Sequence, residues 1–292
     1  MPIRILPFDN FPISPPDVSV IIPTFNRLLM LQEALASVYA QTYEGSAEVL
    51  VVNDSPRDEI SAVIRRDFPG ARLICHGENL GMSRARNRAL AEAKGRYLAF
   101  LDDDDLWEPD YLKVQISSLE SAKDAFAVSG LTVWNTRTGA RKLLPQKPDL
   151  KRYASVAHHL LVVNFIRCPS SVVFPRNAME KAGFFDEDSP LGSDYDLYLR
   201  CLIAGFRPVF TGAPLAVKRR HGAGQLTDPA NWDGRVAARI ARVGEFYPLI
   251  KRHFAVAPFR AVRAEICDRF AGRYFRQKRV LRGLRLLVEG AL

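Results

Sequence analysis

Four consecutive carboxylates stand where a buried strand is expected to end. Residues 97–101 read Tyr-Leu-Ala-Phe-Leu, and residues 102–105 are all Asp. Adjacent carboxylates resist ionising beside one another, so a fold gains little from four of them unless a positive charge lies there. Carboxylate oxygens suit Mg²⁺ or Mn²⁺, which proteins usually hold with one or two carboxylates plus substrate phosphates. The pattern therefore predicts a divalent metal that holds a phosphorylated substrate. An acidic turn before a helix would explain one or two of the four residues.

A second acidic stretch precedes another predicted helix. Asp194 and Asp196 fall in its first turn, ahead of Leu197, Leu199 and Leu202. A carboxylate at this position either caps the positive helix end or acts as a general base for a hydroxyl within hydrogen-bond reach. The residues alone leave both interpretations open.

Basic residues occur at two points where an anion can bind. Arg84, Arg86 and Arg88 lie in the first two turns of a helix predicted after Ser83. Arginine is unfavourable at the positive end of a helix unless an anion binds there, and of the three we assign Arg86 to the site. His221 follows a basic run, 218–220, and precedes a glycine. We interpret this segment as a loop that contacts phosphate, although a lone histidine is often structural.

Strands and helices alternate in the first hundred residues. Apolar runs at 18–22, 49–52 and 72–74 predict buried strands, and helical spacing predicts helices at 27–41 and 57–67. This rhythm is typical of a parallel sheet with right-handed crossovers, whose ligands bind at the carboxyl ends of the strands. Residues 135–155 are polar and irregular, which predicts a mobile loop beside a cleft.

Composition indicates one large domain, or one domain with an appendage. The chain has 292 residues, of which 48% are hydrophobic. It has no apolar run near the roughly 20 residues of a membrane span, and residues 1–7 do not resemble a signal peptide. Its cysteines are widely separated, as expected for reduced thiols in a cytoplasmic protein.

Positive charge is concentrated at the end of the chain. Of the net charge of +9, residues 218–292 contribute 17 Lys and Arg against 6 Asp and Glu, and the remainder is slightly acidic. The last part is predicted as two helices, near 232–253 and 259–289, the second with an apolar face from Phe259 to Val288 beside many arginines. This face either packs on the domain or a second subunit, or lies on an anionic membrane.

The motifs occur in the order of a known family. They are, in sequence, Pro-Thr-Phe-Asn-Arg, Asn-Asp-Ser, Asn-Leu-Gly-Met-Ser-Arg-Ala-Arg-Asn, Phe-Leu-Asp-Asp-Asp-Asp-Leu-Trp, Gly-Phe-Phe-Asp-Glu, Ser-Asp-Tyr-Asp-Leu and basic-His-Gly. Over residues 18–225 the chain resembles the family 2 glycosyltransferases. The resemblance implies a GT-A fold, an α/β architecture with a mixed, mainly parallel, Rossmann-like sheet flanked by helices. Residues 1–17 are then an extended arm, and residues 226–292 form a C-terminal basic helical appendage.

The resemblance also implies an activity. The family transfers sugar from a nucleotide-diphospho-sugar with inversion and a divalent metal, here Mn²⁺ or Mg²⁺. We expect transfer of a single sugar, with a UDP-sugar favoured, in surface polysaccharide, glycolipid or glycoprotein synthesis. The acceptor hydroxyl is on a glycan, a lipid-linked sugar or a protein. Expected roles are base and ribose binding for Pro23, Thr24 and Asp54, donor binding for Arg86, Asp102 and Asp103, metal binding for Asp104 and His221, and catalytic base for Asp194.

Two departures from the family pattern bear on this expectation. Ser193 stands where the family often has Glu, and Ser55-Pro56 replaces the usual Gly-Ser after Asp54. An inactive nucleotide-sugar binder is one alternative. A protein that binds a membrane or nucleic acid through its basic tail is another, although we expect no nucleic-acid partner because that leaves the acidic motif unexplained. We further expect a cytoplasmic location, with contact at the inner face of the membrane and a homo-oligomer as open alternatives.

Overall fold

A mixed, mainly parallel sheet forms the centre of the computed structural model, which describes residues 3–6, 15–56, 59–188, 193–222, 232–276 and 278–291. The strands of this main sheet are β1 (Arg4–Ile5), β2 (Val18–Thr24), β3 (Ser46–Asn53), β4 (Ala71–Cys75), β5 (Tyr97–Phe100), β7 (Ala125–Val128), β10 (Val172–Pro175) and β11 (Arg207–Phe210). Their order is β1-β3-β2-β5-β10-β7-β11, and β4 also pairs with β3.

Continuous apolar runs place the first strands at the middle of this sheet. β2 and β5 are buried along their whole length, as strands covered on both faces must be. β1, β3, β2, β4 and β5 pair in parallel. β10 is antiparallel to both neighbours, β5 and β7, so the sheet is mixed in its second half. The predicted fold class is confirmed.

A smaller sheet continues from the carboxyl end of β5. Its order is β6-β12-β8-β9, formed by β6 (Asp105–Trp107), β12 (Ala216–Arg220), β8 (Leu131–Asn135) and β9 (Arg141–Leu144). β8 and β9 are an antiparallel pair, so part of the segment that we predicted as an irregular loop, 135–155, is a β-hairpin. β9 was missed because its sequence, Arg-Lys-Leu-Leu, does not alternate polar and apolar residues and its side chains are mostly exposed.

Helices cover both faces of the main sheet. One apolar core lies under α1 (Leu28–Tyr39), α2 (Glu59–Asp67) and α4 (Tyr111–Glu120). The other lies under α3 (Met82–Glu92), α5 (Val156–Val162), α6 (Arg176–Ala182), α7 (Ser193–Ile203), α8 (Trp232–Ile250) and α9 (Phe259–Arg276). A short 3₁₀ turn, Pro169–Ser171, precedes β10. No helix among the described residues is long and apolar enough to cross a lipid bilayer.

The two ends of the chain differ from their predicted forms. Residues 4–5 of the expected arm pair with β3, and Ile3 and Leu6 are buried, whereas 7–14 lie outside the described residues. The helix predicted over 259–289 is two helices, α9 and α10 (Val280–Ala291). They separate near Lys278, which has a left-handed φ of 59°. No proline marks this break, so spacing alone predicted one continuous helix.

Candidate active site

The four acids of the acid turn, Asp102–Asp105, each bind different partners. The turn connects β5 to β6, and Asp105 N donates to Asp102 O at 3.0 Å. Asp102 Oδ1 accepts from Arg86 Nη2 at 2.5 Å, and Asp102 N donates to Ser170 Oγ at 3.1 Å. Asp105 is buried, and its carboxylate accepts from Ser170 Oγ at 2.7 Å and from Arg219 N at 3.2 Å. Ser170, in the 3₁₀ turn, thus joins two of the four acids.

Three of these carboxylates converge. Asp102, Asp104 and Asp105 each offer an oxygen, and these oxygens lie within 4.8 Å of one another. The second oxygens of Asp102 and Asp104 accept no hydrogen bond from the residues that the structure describes. Hard carboxylate oxygens with free lone pairs are what Mg²⁺ and Mn²⁺ prefer, so the residues fit a divalent cation.

Asp103 is used differently from its neighbours. Its Oδ2 accepts from Thr24 Oγ1 at 2.8 Å, and its Oδ1 accepts from Arg27 Nη1 at 2.9 Å. Burial raises the pKa of Asp103 to about 6, although the charge of Arg27 opposes the rise. Asp103 and Thr24 therefore fasten the acid turn to the carboxyl end of β2.

Several cations surround the acid turn. Arg27 Nη1 also lies 3.3 Å from Asp104 Oδ2, and His221 Nε2 lies 3.0 Å from the same oxygen. Burial would raise the pKa of Asp104, but the hydrogen bond with His221 and the charge of Arg27 outweigh it and hold the pKa below its ordinary value. Lys218 stands directly opposite Asp105 in the β12–β6 ladder.

The basic run before His221 is largely engaged inside the protein. Burial opposes the charge of Lys218, but the charges of Asp105 and its neighbours outweigh this effect and raise the pKa of Lys218. Arg219 is buried, donates to the backbone oxygens of Asp104 and Met30, and pairs with Glu33. These residues therefore balance the charge of the acid turn, a role that the sequence did not indicate.

A loop that borders the site is held by Asp54. Asp54 Oδ1 accepts from Leu80 N and lies near His76 Nδ1, both at 2.9 Å, and Asp54 Oδ2 accepts from Gly81 N at 2.8 Å. Its own N donates to Thr24 O at 2.9 Å, which ties the ends of β2 and β3 together. Asp54 therefore shapes this edge of the site, and its predicted contact with a base stays a prediction, like that of Pro23 in the buried end of β2.

The neighbours Arg86 and Asn87 connect α3 to two parts of the site. Arg86 is buried, with its guanidinium bound to Asp102 and 5.1 Å from the ring centre of Phe185. Asn87 Nδ2 donates to Phe185 O at 2.9 Å, and Asn87 Oδ1 accepts from Phe185 N at 3.0 Å. The loop that leads towards Asp194 is thereby held beside the acid turn.

Asp194 lies in the first turn of α7. The buried hydroxyl of Tyr198 is influenced by the charges of Asp194, Arg86 and Asp102, and burial together with Asp194 raises its pKa. Asp196 is the structural acid of this turn, since it is buried and accepts from Arg200 Nε at 2.6 Å. The expected role of Asp194 as catalytic base stays a prediction.

Two arginines of α8 hold this turn from the C-terminal side. Arg242 Nε lies 3.4 Å from Asp196 Oδ1, and Arg242 also pairs with Asp186 in the preceding loop. Arg239 lies 3.4 Å from the ring centre of Tyr195, and its Nη2 donates to Leu160 O at 2.9 Å. Sequence reasoning missed both arginines, because contacts between segments this far apart leave no local pattern.

The structure brings together most of the residues expected in the site. Bonded contacts directly connect Thr24, Arg86, Asp102, Asp103, Asp104 and His221 with Arg27, Ser170 and Asp105. Asp54 reaches this cluster through Thr24, whose backbone oxygen accepts from Asp54 N. Asp194 is related to the cluster only through charge, since Asp194, Arg86 and Asp102 all influence the buried hydroxyl of Tyr198. Of the residues that sequence reasoning missed, Arg27 could have been found, because it is the last residue of the Pro-Thr-Phe-Asn-Arg motif.

Comparisons with known proteins agree with this architecture. The sequence model described as glycosyl transferase family 2 matches residues 19–183. The chain is 31% identical over 194 residues to the E. coli protein named UDP-Glc:alpha-D-GlcNAc-diphosphoundecaprenol beta-1,3-glucosyltransferase WfaP, covering 65% of this chain and 72% of that protein.

Two solved structures share the fold at low sequence identity. TarS of S. aureus in complex with UDP-GlcNAc has a TM-score of 0.61 and 16% identity, over 93% of this chain and 90% of that one. The mannosyltransferase PcManGT of Pyrobaculum calidifontis, in complex with GDP-Man and Mn²⁺, has a TM-score of 0.58 and 18% identity, over 96% of this chain and 76% of that one.

Proposed function

Because this chain belongs to glycosyltransferase family 2, we propose that it moves one sugar from a UDP-sugar to a hydroxyl, with inversion and with a divalent metal. The observation that carries the proposal is the convergence of Asp102, Asp104 and Asp105 at the carboxyl end of β5. This is the edge at which α/β sheets bind ligands. The UDP-GlcNAc complex of TarS and the UDP-glucose named for the E. coli relative support a uridine donor.

Asp102 and Asp104 are the residues that would hold the metal. Their second oxygens are available, whereas both oxygens of Asp105 already accept hydrogen bonds. A bound divalent cation would stabilise the negative charge of the departing diphosphate. His221 contacts Asp104 and orients it, and Arg86 does the same for Asp102. Because these two carboxylates are already held in position, the site would need little rearrangement to bind the metal and the donor diphosphate.

Asp194 would act as the base. It would accept the proton of the acceptor hydroxyl as that oxygen bonds to the anomeric carbon and the diphosphate leaves from the opposite face. Asp196 fixes the helix turn that carries Asp194, through its contacts with Arg200 and Arg242, and this supports a positioned base. A single displacement of this kind inverts the configuration at the sugar.

The proposed acceptor is a sugar hydroxyl on a lipid carrier, in surface polysaccharide or glycolipid synthesis. The E. coli relative is named for transfer to GlcNAc on diphosphoundecaprenol, and this name supports the acceptor class. We also propose that the protein acts in the cytoplasm. All four cysteines are free thiols, which suits a reducing compartment.

The first experiment measures thermal stabilisation by UDP, GDP, dTDP and CDP, each with and without Mn²⁺. At about 100 times the dissociation constant a ligand adds about 2.7 kcal/mol, or a few degrees for a chain of this size. We expect UDP to stabilise the wild type with metal, and Asp104→Asn to lose this shift. Asp268→Asn is the matched control, because Asp268 is exposed on α9.

Transfer assays then separate an enzyme from an inactive binder. Asp194→Asn should keep the shift with UDP and Mn²⁺ while transfer to a lipid-linked sugar falls about 10²- to 10⁴-fold. If wild type binds UDP but neither transfers nor hydrolyses any UDP-sugar, the chain is a nucleotide-sugar binder. If no nucleotide stabilises it, the acid turn is not a donor site and the proposal fails.

A further inference from the structure

Helix α10 packs on α9 through a narrow face of small residues. Gly283 and Gly290 lie on this face with Leu286, and all three are buried. A Cβ at Gly283 would stand 2.5 Å from a ring carbon of Phe275, and one at Gly290 would stand 2.8 Å from Cys267 Cβ. The two helices therefore approach closely, and this face of α10 is fully used inside the protein.

The other face of α10 is apolar and exposed. Leu281, Leu284 and Val288 follow one another at helical spacing, with 83%, 49% and 61% of their surface exposed. Val280 and Leu287 flank this stripe and are exposed as well. A contiguous apolar stripe is a surface that a partner or a membrane usually covers.

The structure divides the apolar face that was predicted for a single long helix. In α9, Val262, Ile266 and Tyr274 are buried against the rest of the protein. In α10, the corresponding residues face outward. Packing on the domain is therefore correct for the first half, and the second half needs another explanation.

The charge of the residues around the exposed stripe of α10 indicates what kind of surface covers it. Residues 276–291 carry five positive side chains, Arg276, Lys278, Arg279, Arg282 and Arg285, against the single acid Glu289. A contact between two copies would bring together two surfaces that both carry excess positive charge. An anionic lipid surface would neutralise them, and an amphipathic helix with this composition lies in the membrane interface with its apolar stripe towards the acyl chains.

We propose that α10 is a membrane-surface helix that binds anionic lipid through Leu281, Leu284 and Val288. The proposal is independent of the acid turn, so it stands or fails without the donor site. If the acceptor is a lipid-linked sugar, as proposed above, the contact would also bring enzyme and acceptor to the same surface.

The test is co-sedimentation with lipid vesicles. The full chain should sediment with vesicles of phosphatidylglycerol and phosphatidylcholine at 0.1 M salt, and at least tenfold less with phosphatidylcholine alone. The triple variant Leu281→Gln, Leu284→Gln, Val288→Gln should lose at least tenfold in binding to the anionic vesicles. Leu29→Gln is the control, because Leu29 is an exposed leucine on α1, and it should bind like wild type.

Further measurements make each outcome decisive. The triple variant should keep the wild-type melting temperature, since the changed side chains are exposed, and should still gain the nucleotide-induced shift of the wild type. Arg282→Gln with Arg285→Gln should weaken binding to anionic vesicles and reduce its salt dependence. Equal binding of wild type and triple variant would overturn the proposal, as would no binding by the wild type. A wild-type dimer that the triple variant converts to monomers would show instead that the stripe joins two copies.

Discussion

At the scale of single residues, chemically identical side chains have different roles because their surroundings differ. Asp103 is fixed by Thr24 and Arg27, whereas Asp104, its neighbour in the chain, faces His221 and keeps an oxygen available. The sequence predicted that the four acids form a site, since repulsion between them requires compensation. Their division into anchors and proposed metal ligands depends on Ser170, Lys218 and Arg219, which follow more than 60 residues later.

The surroundings of His159 lead to a prediction of how the free energy of unfolding depends on pH. Its ring is stacked between Tyr153 and Phe165, and its Nδ1 accepts from Asp149 N at 3.1 Å. Burial, with the charge of Arg269, lowers the pKa of His159 to about 4, against about 6.5 in the unfolded chain. Protons then bind preferentially to the unfolded chain, so stability is complete above about pH 6.5 and falls as the pH drops towards 4.

The expected loss from His159 alone is about 1 to 2 kcal/mol between pH 7.5 and pH 5. Urea unfolding at the two pH values measures it, with His159→Asn as the comparison because Asn keeps an acceptor near Nδ1. The variant should be less stable at pH 7.5 but lose less on acidification. An equal loss in both proteins would show that other groups cause the acid sensitivity.

At the scale of elements, the contacts of helix α8 predict that Arg242 is a positioning residue, although it lies outside residues 19–183, which the family model matches. Arg242 pairs with Asp186 and with Asp196, and so links α8 to the turn that carries Asp194. Arg242→Met should lower kcat for sugar transfer about tenfold while the KM for the donor changes little. A group that only aligns the base affects the chemical step, because small misplacements of a catalytic group are costly.

Two comparisons separate positioning by Arg242 from general destabilisation. Arg242→Lys should restore part of the lost rate, because it keeps the charge between the two carboxylates. Arg252→Met, at an exposed position past the end of α8, should act like wild type. If Arg242→Met raises the donor KM as strongly as it lowers kcat, α8 has no special relation to the base.

Elements with a local pattern were predictable, and those that depend on distant contacts were not. β2, β3 and α1 follow from apolar runs and helical spacing, and they lie within a few residues of their predicted bounds. The break between α9 and α10 is set by the backbone at Lys278 and by glycines that match Phe275 and Cys267. Neither interaction is visible in the periodicity of the segment.

At the scale of the whole molecule, the C-terminal helices are part of the core. Val243, Phe246 and Ile250 of α8 and Val262 and Ile266 of α9 are buried in the same cluster as α3, α5 and α7. Each such side chain contributes about 1.5–3 kcal/mol, so together they match the entire stability of a typical domain, about 5–15 kcal/mol. The division at residue 225 stays a prediction, and the shared core leads us to expect that residues 18–225 need α8 and α9 in order to fold.

Truncation tests this view. A chain ending at residue 225 should show no cooperative thermal transition. A chain ending at residue 276, which lacks only α10 and its connection, should unfold cooperatively within several degrees of the full protein. Calorimetry on both truncated chains and the full chain measures the transitions. A sharp transition in the shorter chain would show that residues 18–225 fold alone.

The order of the strands in the main sheet also affects the chain while it is being synthesised. β5 is complete at Phe100, but its antiparallel neighbour β10 begins only at Val172. Synthesis proceeds at about 5–20 residues per second, so this edge of β5 has no partner strand for roughly 4 to 15 seconds. An exposed strand edge is where chains aggregate. The nascent chain therefore exposes this edge until the residues of β10 have been synthesised.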